Sequence, residues 1–123
     1  MRRLAVPMSG NAPREAVELV SNLSLDPALQ ALAWLYVDEL ERAHDVCQGM
    51  NDKTGAAIHA IVHRREGDFY NALYWWERAG NHPALSGLDP VELTKAVQRG
   101  DVSEATIKGQ RAEWEALAAW CAA

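Results

Sequence analysis

Between His59 and Pro83 the chain gathers the side chains best suited to chemistry: three of its four histidines, two of its five tryptophans, and Arg64, Arg65 and Arg78. His59 and His63 are four residues apart, so on a helix they share a face about 6 Å apart along the axis and could ligate one metal ion. Two ligands do not make a site. A third would have to come from Glu66, from His82, or from His44 on the preceding helix. The zinc-protease signature needs a glutamate directly after the first histidine, and Ala60 stands there instead. His59 and His63 are thus the only metal candidates. The pair by itself predicts helix-packing histidines bonded to nearby acids or backbone, and no cofactor is expected.

A pocket built here would be lined by His44, His59, His63, Glu66, Asn71, Trp75 and His82. Asn71 is an unusual choice inside a helix, which predicts a bond across to another helix or a place facing a ligand. The three arginines could clamp a carboxylate or phosphate with their planar donor forks. Glu66, Asp68 and Glu77 stand near them in sequence, and an ordinary ion-pair network is the simpler expectation. Tyr74, Trp75 and Trp76 cannot all point inward, because successive helical residues diverge by about 100°. One of them should therefore reach a rim or an interface, as anchors of protein contacts do. Neither a Gly-x-Ser-x-Gly elbow nor a phosphate-binding glycine loop is present.

These residues must be positioned by one modest core. A chain of 123 residues, 49% hydrophobic and 24% charged, fits one domain that buries about two thirds of its unfolded surface. The first ten residues are expected to be its loosest part. The formal charge of −5, with acids spread along the chain, argues against a nucleic-acid partner. The basic pairs Arg2-Arg3 and Arg64-Arg65 are too short to carry a phosphate backbone alone. Cys47 and Cys121 fall on apolar helical stretches and read as buried free thiols in a reducing, cytoplasmic setting. Pro7 and Gly10 break the N-terminal segment before any signal-peptide core, and the run Ala31 to Val37 is far short of the ~20 residues that cross a bilayer. No membrane partner is expected.

The punctuation is that of an all-α protein of five or six helices. Asn11 and Pro13 open a short helix through Val20 that Asn22 to Leu25 closes. Asp26-Pro27 pairs an N-cap acceptor with a first-turn proline and starts a long helix to about Gln48. Its apolar stripe is Leu29, Leu32, Ala33, Tyr36, Val37, Leu40, Ala43 and Cys47, with Asp38, Glu39, Glu41 and Arg42 on the far side. Thr54 caps a helix over Gly55 to Arg65, Asp68 caps Phe69 to Ala79, and Asp89-Pro90 opens another to about Arg99. A last helix begins near Ser103 or Thr106, with Gly109 making its first half uncertain. The long helix Asp26 to Gln48 is expected to be central, with the hairpin Thr54 to Ala79 packed against it.

Ala60, the turn Gly67-Asp68, then Ala72, Trp76, Ala79 and Pro83 resemble one tetratricopeptide-type helical hairpin. Small residues let its helices approach closely, and a glycine makes the tight turn. The resemblance covers a single repeat, with no second copy near a spacing of 34 residues, so it implies one hairpin inside a larger bundle. The string from His63 to Asp68, then Asn71-Ala72, Tyr74-Trp75, Arg78-Ala79-Gly80 and His82-Pro83, is similar to a family of small helical proteins with that signature. That likeness implies a compact helical domain and brings no activity. His44-Asp45 resembles the dipeptide of the HD-type metal-dependent phosphohydrolases, which are all-helical too. Their further upstream histidine has no counterpart before His44 here, so the implied metal site would be incomplete.

The leading expectation is a non-enzymatic module that binds another protein or its own copy through the aromatic and arginine face of the helix Phe69 to Ala79. The alternative is a metal- or small-ligand-binding protein, or a hydrolase, with a histidine-lined pocket.

Overall fold

The computed structural model describes residues 13–22 and 25–123; the first ten residues and the Asn11 cap lie outside this range. The described residues form an all-α fold with no strand. Its helices are α1 (Arg14–Asn22), α2 (Pro27–Tyr36), α3 (Leu40–Cys47), α4 (Lys53–Glu66), α5 (Phe69–Ala79), α6 (Pro90–Gln98) and α7 (Glu104–Ala122). A short 3-10 turn, Pro83–Leu85, stands between α5 and α6.

The helix starts follow the capping chemistry of the sequence. Asp26, Asp68, Asp89 and Ser103 each accept a bond from a backbone N–H three residues on. α4 starts two residues earlier than its Thr54 cap predicts, because Asp52 accepts from the Gly55 N–H at 2.8 Å and draws Lys53 and Thr54 into the helix.

The long helix Asp26 to Gln48 is not continuous. Val37, Asp38 and Glu39 break it into α2 and α3. Asp38 has φ +69°, the left-handed conformation that ends helices, while its N–H reaches Leu35 O at 3.1 Å and that of Glu39 reaches Trp34 O at 2.9 Å. Aspartate tolerates this conformation better than most residues. Its carboxylate also accepts a bond from Arg65, whose other terminal nitrogen bonds Leu35 O at 2.9 Å. Asp38 and Glu39 are consequently buried rather than solvated, and Tyr36 is exposed while Ala31, Trp34 and Leu35 enter the core. A period carried straight through the break puts these side chains on the wrong face.

α4 is the central helix. Gly55 through Val62 are buried without interruption, and so are Arg64 and Arg65, as expected of a helix packed on all sides. Ala60, Ala72 and Ala79 are fully buried where α4 meets α5, with Trp76 beside them. Gly67 makes the turn at φ +84°. Arg64 reaches the other way. It forms a two-pronged buried ion pair with Glu113 of α7 and bonds Thr94 Oγ1 of α6 at 3.3 Å. Trp76 donates its indole N–H to that same hydroxyl at 2.9 Å. Arg64 and Arg65 therefore pair with Glu113 and Asp38, acids distant in sequence.

α7 is unbroken through Gly109, whose missing side chain makes room for Leu93 of α6. Cys47 is buried as expected, whereas Cys121 is only half-buried. No helix among the described residues is long and apolar enough to cross a membrane.

Candidate metal centre

Three helices meet at one polar cluster. α3 brings His44 in its last turn, and α4 brings His59 and His63 from one face of its second half. One ring nitrogen from each of the three histidines lies within 4.8 Å of the others. The rings of His59 and His63 are nearly parallel at 5.8 Å, and His44 stands edge-on to both, at 4.9 Å from His59 and 5.5 Å from His63. From α5, Trp75 stacks on His59 at 4.0 Å between centroids, with an angle of 20° between the planes. That indole covers one face of the histidine and keeps water from it.

The electrostatics favour a neutral His59. His59 is 4% exposed, and burial, aided by the proximity of His44 and His63, pushes its pKa down to about 4. It is therefore uncharged at neutral pH, the form that ligates a metal. The Nδ1 atoms of His59 and His63 are buried and make no hydrogen bond among the described residues. A buried polar atom without a partner costs about 1–3 kcal/mol, so a partner for these nitrogens would be stabilising. Glu66 Oε1 stands 3.0 Å from His63 Nδ1, and Asp68 Oδ2 3.9 Å from it. Asp68 is held by the side-chain amide of Asn71, which donates at 2.7 Å and lowers the carboxyl pKa.

A cavity of about 500 Å³ opens beside the cluster, lined by Glu41, His44, Asp45, His63, Glu66 and Asp68. On the opposite side, across His59 and Trp75, lies a second depression with Gln48, Asn51, Lys53 and Arg78 in its wall. Arg78 sits over the Trp75 ring at 5.4 Å and the Tyr74 ring at 5.7 Å.

Of the seven residues expected to line a pocket, the structure brings His44, His59, His63, Glu66 and Trp75 together. Asn71 lies in the first turn of α5, not mid-helix, and acts on the cluster only through Asp68. His82 lies apart. Its Nε2 is 2.8 Å from Thr54 Oγ1 and its Nδ1 accepts from the Ala84 N–H at 3.0 Å, so both ring nitrogens are already engaged. Asp45 lines the cavity but does not converge with the histidines, so the donor set is three imidazoles and not a His-Asp doublet. Sequence reasoning did not single out Glu41 or Asp68 for the site, although Asp68 is signalled by its place two residues beyond Glu66.

Comparison of the chain with protein-family models, curated proteins and solved structures finds no match to any of them.

Proposed function

We propose that the protein binds one divalent transition-metal ion, with zinc the best fit to the donors, through His44, His59 and His63. The convergence of three imidazoles, with the buried Nδ1 of His59 left without a hydrogen bond, carries this reading. Imidazole suits Zn, Cu, Fe and Ni, and three protein ligands with an open position are the pattern of catalytic rather than structural zinc. Nitrogens around a tetrahedral ion at about 2.0–2.1 Å sit closer together than the present spacing, so small side-chain rotations tighten the cluster on loading. Glu66 and Asp68 beside His63 supply the carboxylate that a metal-bound histidine commonly needs on its other nitrogen.

Bound there, the ion would act as a Lewis acid and generate hydroxide from water near neutral pH, which supports a hydrolytic role. In that reaction Trp75 excludes water from one face of the site. Glu66 and Asp68, at the cavity wall, orient His63. Glu66→Gln should lower metal affinity by about 10–100-fold while the fold persists. The test is metal content after equilibration with zinc: one ion per chain is expected, falling to none in His44→Ala, His59→Ala or His63→Ala with helicity retained. Zinc that stays bound in all three variants would overturn the proposal.

A second reading, contact with another protein or a second copy, is supported by one surface of α5. Tyr70 and Tyr74 are 84% and 48% exposed and follow one another at four-residue spacing, with Arg78 next. Light scattering of the purified chain and of Tyr70→Ala would reveal self-association there.

A further inference from the structure

Resting on the metal reading, we propose that the depression lined by His59, Trp75, Lys53 and Arg78 binds a small carboxylate, which accepts a hydrogen bond from the ring nitrogen that His59 does not give to the ion. A metal-bound histidine commonly donates its other N–H to a carboxylate, a backbone carbonyl or a water, which fixes the ring and raises its basicity. His63 has Glu66 and Asp68 near its Nδ1. His59 does not share them: it is 4% exposed, and its Nδ1 is buried without a hydrogen bond among the described residues. The one acid lining the depression, Asp52, caps α4 and accepts from the Gly55 N–H at 2.8 Å. That cap lies almost two turns, about 10 Å along the axis, from His59.

The rest of the depression suits an anion. It encloses about 330 Å³, and Asn51, Lys53 and Arg78 join His59 and Trp75 in its walls. Arg78 lies over the Trp75 ring at 5.4 Å and bonds the Tyr74 hydroxyl at 3.4 Å, and neither it nor Lys53 forms an ion pair among the described residues. Two cations against Asp52 leave one net positive charge, which matches a monoanion better than a phosphate dianion. The guanidinium fork can hold both oxygens of a carboxylate, and the Asn51 amide adds a donor. Because the bound acid and the ion would share the His59 ring, each should tighten the other, by the same factor.

The test is calorimetric titration of the full zinc-loaded chain with three probes of similar shape: benzoate, the neutral benzamide, and the dianion phenyl phosphate. Benzoate is expected to bind about tenfold more tightly than either of the others, with its lead over benzamide shrinking at high salt. In Arg78→Gln and in Lys53→Gln, each checked by circular dichroism and zinc content beforehand, benzoate should weaken by about tenfold. Saturating benzoate should raise the affinity for zinc about fivefold or more, and zinc that for benzoate equally. Benzoate binding that survives both substitutions would place the acid on the ion or elsewhere and overturn the proposal. So would zinc uptake with no benzoate binding, or tighter binding of phenyl phosphate. A chain that takes up no zinc would instead overturn the metal reading, and with it the coupling stated here.

Discussion

At the scale of single residues, the site depends on keeping His59 neutral in a buried place. His59 has its pKa lowered to about 4 in the folded chain, against about 6.5 when unfolded. The unfolded state therefore binds more protons between these values, and stability must rise with pH across that window. We expect unfolding free energy, measured by urea titration without metal, to fall as pH drops from 6.5 toward 4, and the slope to flatten in His59→Phe. An equal slope in that variant would remove His59 as its source. Burial lowers the pKa of His82 too, but Thr54 and Ala84 engage both its nitrogens, which leaves none for a metal. His82→Gln should leave metal content unchanged and cost about 1 kcal/mol of stability.

The pair His59 and His63 was legible from its spacing alone, as was the list of residues able to supply a third ligand. That His44 meets them, and His82 does not, depends on how α3 packs against α4. No spacing within one helix encodes that contact.

At the scale of elements, the chain's capping signals located most helix starts, and its turn chemistry misled once. Asp38 carries no helix-ending mark that a reader of sequence would trust, because the usual residue in that conformation is glycine. Its selection is tertiary: Arg65, from a helix more than twenty residues on, ties the carboxylate and the Leu35 carbonyl into the break. The corner in turn sets the direction of α3 and so the position of His44. Asp38→Asn keeps the backbone tolerance and the shape but removes the charge that faces buried Arg65. A loss of about 3–5 kcal/mol is expected from chemical denaturation, as for other broken buried pairs; a loss below about 1 kcal/mol would show that the corner holds without it.

Two helical glycines give opposite expectations. At Gly55 a methyl group would come within 2.6 Å of Met50 Cβ and 3.1 Å of Met50 O, which have little room to move. Gly55→Ala should destabilise by about 1–3 kcal/mol despite its better helix propensity. At Gly109 the methyl would meet only the ends of the Leu93 side chain, at 3.2 and 3.3 Å, which can rotate aside. Gly109→Ala should be neutral or stabilising by up to about 1 kcal/mol in the same melting experiments. Reversed signs would mean that close helix approach does not govern these positions.

At the scale of the whole molecule, one helix organises the fold and the site together. The successive residues His63, Arg64 and Arg65 leave α4 in three directions, toward the cavity, toward α6 and α7, and toward the α2–α3 corner. The ion pairs made by the two arginines fix α4 against both flanks, so His59 and His63 stand on a rigid base while α3 closes over them. The all-helical class, one compact set of helices and the α4–α5 hairpin were readable from periodicity and caps. The central role of α4 was not, because a helix buried on every side has no single apolar stripe, and its buried charges imitate a surface. Because the ion would bind only the folded chain, saturating zinc should raise the melting temperature by about 10 °C at a hundredfold excess over its Kd.

The most direct measurement is anomalous diffraction at the zinc edge from crystals of the zinc-equilibrated chain. One peak is expected per molecule, with nitrogen atoms of His44, His59 and His63 about 2.0–2.1 Å from it and a water or solute in the fourth position. A map with no peak at that cluster, or with zinc held by other residues, would contradict the metal centre and with it the hydrolytic reading.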